Sequence, residues 1–202
     1  AHTWIDYDVE IGDGSLIYPN TFIEGETRIG CDVSIEPGSI IRNSIIADNV
    51  TIKAYSYIDD AVIRREAMIG PFARLRPKAD IGEKAKVGNF VEIKKSILHT
   101  GVKVSHLSYV GDAEIGEDSN IGCGFITCNY DGVAKHVTKV GSGTFIGSDC
   151  QTIAPVEIGN NCFIGAGSTI NENVPDNAFA IARARQATKA EMAKKFLKKP
   201  EK

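Results

Sequence analysis

IDYDVEIGDGSLIYPNTFIEGETRIGCDVSIEPGSII, residues 5–41, places isoleucine at 5, 11, 17, 23, 29, 35 and 41. A six-residue period held without a miss fits no amphipathic helix, which repeats near 3.6. Nor does it fit a lone strand, which alternates by two and then stops. Repeats of this length fold as a short strand, a tight turn and another strand, and they bury their apolar faces by stacking coil upon coil.

Outward from that stretch the ladder runs on through Ile46, Ile52, Ile58, Ile63, Ile69, Leu75, Ile81, Val87, Ile93, Leu98, Val104, Val110, Ile115 and Ile121. It breaks once and resumes at Val140, Ile146, Thr152, Ile158, Ile164 and Ile170. Twelve of the twenty glycines follow a ladder residue, as a turn that needs tight backbone demands. The expected fold is all-β: a parallel β-helix over residues 1–174, three repeats and about 18 residues to a coil, about nine coils stacked about 4.8 Å apart. An inserted loop is expected at about 128–139 and a basic arm over 175–202, with a short amphipathic helix between Ala187 and Lys199.

The irregularities are regular themselves. The spacing falls to five at Ile41–Ile46, Ile58–Ile63, Ile93–Leu98 and Val110–Ile115, so the missing residue recurs on one side of the coil. The coil from Ile58 to Ile93 breaks the rule on that side, keeping six with Leu75, Arg76, Pro77, Lys78, Ala79 and Asp80, and a broken local rule marks a functional place.

Composition narrows the class. No signal peptide or membrane-length apolar run appears, so a soluble, cytoplasmic protein is expected, with no membrane partner. Five cysteines, odd in number and without metal-ligand spacing, read as reduced thiols; Cys150 and Cys162 occupy small-residue positions and are expected inside. The net charge of −3 is the sum of blocks: −8 over residues 1–62, +6 over 63–106, −6 over 107–174 and +5 over 175–202. The basic blocks are either solvated surface or anion sites. They lack interleaved aromatics and a recognition helix, which disfavours nucleic acid.

The repeat register sorts side chains into columns. Arg76 and Lys94 follow ladder residues on the same side of adjacent coils, about 4.8 Å apart. They are either a splayed, solvated pair or a phosphate clamp, with Arg supplying a planar fork and Lys a point charge. Glu92 lies under Tyr109, and His106 stands between Asn89 below and Cys123 above. Of the four histidines (His2, His99, His106, His136), none has the close partner that a zinc site requires, so no metal is expected. A lone histidine is more often structural than catalytic, and position alone leaves His106 open between the two.

The runs GPFARLRP (70–77), VGNFVEIKKS (87–96), HLSYVGDAEIG (106–116), NIGCGFITCNYDG (120–132) and IGAGSTI (164–170) closely resemble the acetyltransferase domain of the bifunctional GlmU family, within the hexapeptide-repeat acyltransferases. The resemblance covers nearly the whole chain, in order and with matching spacing. It implies a left-handed coil and acetyl transfer from acetyl-CoA to the amine of glucosamine 1-phosphate. That step leads to UDP-N-acetylglucosamine and so to peptidoglycan and lipopolysaccharide precursors. By the same matching His106 is the catalytic base and Glu92 an acidic residue that assists at the site. Arg76 and Lys94 contact the sugar phosphate, and Tyr109 and Asn120 contact the sugar. Asn129 and Tyr130 lie at the acetyl group and amine, and Lys135 reaches a neighbouring subunit's ligand phosphate. Cys123, Ser148, Ala166 and Arg183 contact acetyl-CoA, with Ser148 the donor to the oxyanion. Cys123 departs from the alanine usual in the family. The family's uridyltransferase half, with its Gly-rich nucleotide loop, is not in this stretch, which reads as an excised domain of a homotrimer with shared active sites. A hexapeptide acyltransferase acting on another amine or alcohol, and a non-catalytic scaffold, are the competing readings.

Overall fold

The computed structural model describes residues 2–195 and 197. It is a left-handed parallel β-helix. Strands of two to four residues build three flat sheets of ten, nine and ten strands, every pairing parallel. Sheet 1 runs from Trp4–Ile5 to Thr169–Ile170, sheet 2 from Glu10–Ile11 to Val156–Ile158, and sheet 3 from Leu16–Ile17 to Phe179–Ala180. Ten strand levels replace the nine coils expected from the periodicity.

The ladder points inward as its spacing requires. Ile41 pairs with Ile58, Ile58 with Leu75, Leu75 with Ile93 and Ile93 with Val110, all fully buried. The first coil differs: Ile5 and Ile11 are 45% and 39% exposed, because a solenoid's end coil has a stacked neighbour on one side only. Cys150 and Cys162 are buried, as their repeat positions imply.

Threonine fills the gap that the interruption leaves in the aliphatic series. Thr127 lies at the ladder position opposite Thr152, 1% exposed. Its hydroxyl accepts from the Gly111 amide at 2.8 Å and donates to the Gly111 carbonyl at 2.9 Å, which satisfies an otherwise costly buried hydroxyl. The coil is therefore continuous, and the insertion is a loop at its corner, residues 129–137, between the strands Ile126–Cys128 and Thr138–Val140.

The five-residue sides all turn from sheet 1 to sheet 2. Asn43, Asp60, Lys95 and Asp112 take these corners in the left-handed conformation, with φ between 46° and 48°. In the six-residue exception the turn is Arg76–Pro77–Lys78, with Lys78 left-handed. In the arm, the helix expected between Ala187 and Lys199 is reduced to one 3-10 turn, Met192–Lys195. Phe196, Lys198 and Lys199 lie outside the described residues. Among those described, no helix is long and apolar enough to cross a membrane.

Candidate active site

The strands bring most of the sequence-selected residues to sheet 1 and its two corners. On the outer face of sheet 1, Arg74, Glu92 and Tyr109 form one column. Beside it, Lys94 pairs with Gly111, and Arg76 follows Leu75 one level below. Glu92 lies beneath Tyr109, as the register requires. Gly111 carries no Cβ for a reason: one built there would sit 2.3 Å from the Tyr109 hydroxyl, so the missing side chain lets the phenol lie along the sheet towards Lys94's column.

Arg76 and Lys94 are neither splayed nor alone. Arg76 Nη1 donates to Glu92 Oε1 at 2.8 Å, and Arg74 Nη1 lies 3.8 Å from Glu92 Oε2. The Glu92 carboxylate is thus engaged by two arginines. Lys94 Nζ is 3.8 Å from Asp112 Oδ2. The inserted loop adds a third cation, because Lys135 brings its ammonium beside that of Lys94. That contact, then burial and the Arg76 charge, lower the Lys94 pKa below its ordinary value, against an opposing pull from Asp112. Five cations, Arg74, Arg76, Lys94, Lys95 and Lys135, around two carboxylates leave a net positive patch, which suits a phosphate.

The loop that delivers Lys135 is held shut. Tyr130 and Lys135 form an antiparallel bridge, and the Tyr130 hydroxyl donates to the Gly132 carbonyl. Asp131 accepts from the amides of Val133 and Ala134, both at 2.7 Å, and meets His136 Nε2 at 2.7 Å. These donors, Ala134 first, then His136, hold the Asp131 carboxyl well below the usual carboxylate range. His136 is thereby accounted for as a loop brace.

His106 ends the strand Lys103–His106 at the corner between sheets 3 and 1. It pairs with Asn89, and its Nδ1 lies 2.8 Å from Asn89 Oδ1. An amide oxygen can only accept, so Nδ1 carries the proton and the Nε2 lone pair is free. The register stacks Cys123, Ser148 and Ala166 above His106 on this corner. Close turn packing keeps this column straight: a Cβ on Gly147 would meet the Ala166 backbone at 2.5 Å, and Gly122 and Gly147 are bare where Ser148 and Ala166 pass over them. The Ser148 hydroxyl has no hydrogen bond among the described residues. Arg183, from the arm, passes over the next turn, its Cδ 3.6 Å from a Cβ built on Gly167.

Asn120 does not join this group. It lies on the outer face of sheet 3, between Lys103 and Phe145. The two residues that the sequence reading left without a role are Asn89 and Asp112. Asn89 was detectable, since the column places it under His106. Asp112 carries no composition signal; only the folded loop reveals it. Among the described residues, no group of three or more His, Cys, Asp and Glu side chains could hold a metal ion.

Comparison with known proteins follows the same lines. The GMPPB C-terminal domain family matches residues 2–76, and the bacterial transferase hexapeptide (six repeats) family matches 138–172. The bifunctional protein GlmU of Geobacillus sp. (strain WCH70) is 50% identical over 189 residues, covering 94% of this chain and 41% of that protein. GlmU of Zymomonas mobilis is 54% identical over 197 residues, covering 96% and 44%. The chain thus spans about two fifths of the length of the curated relatives it matches. Among solved structures, the UDP-N-acetylglucosamine acyltransferases of Arabidopsis and Francisella novicida share the fold. Their TM-scores are 0.60 and 0.56, at 15% and 18% identity, over 89% of this chain and 69% and 65% of theirs.

Proposed function

We propose that this chain, a homologue of the GlmU proteins over two fifths of their length, transfers acetyl from acetyl-CoA to the amine of glucosamine 1-phosphate. The observation that carries the reading is a pair of features at the two corners of sheet 1. One is a cluster of cations that includes Arg76, Lys94 and Lys135; the other is a histidine with its Nδ1 proton fixed and its Nε2 free.

In this reading the sugar phosphate binds against Arg76 and Lys94, with Glu92 holding the Arg76 guanidinium in place and Tyr109 beneath the sugar; Lys135, expected to reach a neighbouring subunit's phosphate, stands instead beside Lys94 of its own chain and adds its charge there. Asn129 and Tyr130, at the loop's entry, lie against the acetyl group and the amine. Acetyl-CoA lies along the corner column of Cys123, Ser148 and Ala166, and Arg183 meets it from the arm. His106 Nε2 takes a proton from the amine as nitrogen attacks the thioester carbonyl carbon. The C–N bond forms, the C–S bond breaks, and the departing CoA thiolate recovers the proton that His106 holds. Ser148 donates to the oxyanion between these steps, an interaction commonly worth about 3 kcal/mol in acyl transfer. The direct attack needs no covalent intermediate on Cys123.

Asn120's place on sheet 3 and the exposed corner ladder of Tyr55, Phe72, Phe90 and Leu107 support a homotrimer in which neighbouring copies complete each site. The rings of Tyr55, Phe72 and Phe90 stack at 5.4 and 5.3 Å, an apolar stripe that a partner copy would cover. A cytoplasmic location belongs to the same reading.

Measuring CoA release with glucosamine 1-phosphate, with unphosphorylated glucosamine and with unrelated amines tests the activity. Turnover confined to glucosamine 1-phosphate is expected. Equal turnover of other amines would favour a different acyltransferase, and none at all a scaffold. A monomer in sedimentation at micromolar concentration would overturn the trimer.

A further inference from the structure

Asp112 is the one charged side chain, among the described residues, that the fold buries: it is 4% exposed. Its corner position does not explain this. Asn43, Asp60, Lys78 and Lys95 occupy the same left-handed column and are all exposed. Asp112 differs because the inserted loop starts and ends on it. Asn129, the loop's first residue, donates from Nδ2 to Asp112 Oδ2 at 2.6 Å, and Thr138, the first residue after it, donates its amide to the Asp112 carbonyl at 3.2 Å. The carboxylate also faces two ammonium groups, Lys95 Nζ at 3.3 Å from Oδ1 and Lys94 Nζ at 3.8 Å from Oδ2.

We propose that Asp112 is a positioning residue of this site, its carboxylate pinning the start of the loop that carries Lys135 by holding the Asn129 amide, and anchoring Lys94 against the repulsion of Arg76 and Lys135. The proposal rests on the acetyltransferase reading above. Its chemistry is that of a buried carboxylate: taking the charge from water is offset only when its oxygens are filled by good donors, and here two cations and an amide fill them. A carboxamide has hydrogens on one end and an acceptor on the other. With Nδ2 committed to Asp112, the group Asn129 has left to offer is Oδ1, an acceptor matched to an amine N–H. Asp112 touches no substrate itself; it acts through Asn129 and Lys94.

The test is a double-mutant cycle in the full chain, with Asp112→Ala, Asn129→Ala and the pair, beside Asp112→Asn and Asp112→Glu. Hydrogen bonds to charged groups set the expected loss: kcat/KM for glucosamine 1-phosphate falls about 10- to 100-fold in Asp112→Ala, with KM for acetyl-CoA unchanged. The pair loses no more than Asp112→Ala alone. Asp112→Glu recovers part of the loss by restoring the charge. Asp112→Asn preserves the loop contact but raises KM for glucosamine 1-phosphate. Parental kinetics in Asp112→Ala, or losses that multiply in the pair, would overturn the proposal. A readout that needs no turnover separates it from the acetyltransferase reading. The Asn129 side-chain amide should be shifted and protected from exchange in NMR of the parent and lose that protection in Asp112→Ala. If the parent chain acetylates nothing while the amide behaves so, the function reading has failed and the clamp stands. An unprotected amide in the parent sinks the clamp.

Discussion

Asn89 stands directly beneath His106, and its side-chain oxygen meets His106 Nδ1 at 2.8 Å. The pairing is a consequence of coil stacking: one level of the solenoid supplies the imidazole and the level below supplies the acceptor that fixes its tautomer. The corner glycines matter here, because a Cβ on Gly88 would collide with the Ser105 carbonyl at 1.9 Å and push the two levels apart.

Asn89→Ala should therefore lower kcat without weakening acetyl-CoA. A neutral hydrogen bond contributes about 0.5 to 1.5 kcal/mol, so the drop should be roughly two- to tenfold. ¹⁵N chemical shifts of His106 should show Nδ1 protonated in the parent and a mixed tautomer in the variant. An unchanged tautomer together with unchanged kcat would show that Asn89 does not orient the ring.

Much of this was legible beforehand, and the misses within the coil share a cause. The ladder from Ile23 to Ile121 could be read because burial on a repeating geometry admits few residue types. Thr127 escaped that reading because its hydroxyl is satisfied by Gly111, a pairing visible only once two coils are stacked. The Arg76 and Lys94 column followed from register, whereas the Glu92–Arg76 and Asp112–Lys94 pairs follow from side-chain reach, which register does not contain. Asp112 lies in a corner series whose other members are solvated, so sequence alone gave it the same standing as Asp60. The arm failed for the opposite reason: its amphipathic pattern exists, but its described residues from Ala187 on are exposed apart from Met192, and short helices without tertiary packing are marginal.

Arg76→Ala should raise KM for glucosamine 1-phosphate while leaving unphosphorylated glucosamine as poor a substrate as before. The guanidinium is only partly exposed and already oriented by Glu92, so its loss removes a preorganised donor. Glu92→Gln, which loosens that orientation, should move KM in the same direction by less. Proportional losses with both substrates would make Arg76 structural.

Lys135→Met should raise the Lys94 pKa back towards its ordinary value, since the neighbouring ammonium is the first cause of its depression. A lysine whose folded pKa lies below its unfolded one costs stability while it is charged. That cost is present in full below the folded pKa and fades as pH climbs through it towards the unfolded value of 10.5. The variant should thus have a higher Tm than the parent at neutral pH, with the gap closing above about pH 10.5. NMR titration of the Lys94 side chain checks the first half, and thermal unfolding across pH the second. A Tm gap that does not depend on pH would assign the effect to loop packing.

His106→Ala carries the mechanism. At neutral pH the sugar ammonium must lose a proton before or during attack, and His106 is the group on this face with a free lone pair fixed in direction. Removing a general base typically costs about 10² to 10⁴ in rate. The loss should fall on kcat, with assembly and acetyl-CoA affinity retained, because Cys123, Ser148 and Ala166 lie higher on the corner and do not depend on the ring. It should also shrink as pH rises, since more substrate then arrives as free amine and hydroxide can take the proton that the nitrogen sheds as it attacks. His106→Gln offers a hydrogen bond to Asn89 without a basic lone pair, so it should restore the local geometry but not the rate. Near-parental kcat in His106→Ala at neutral pH would remove the imidazole from the chemistry and leave the proton to solvent. A loss of constant size across pH would mean that the ring positions the substrate and takes no proton.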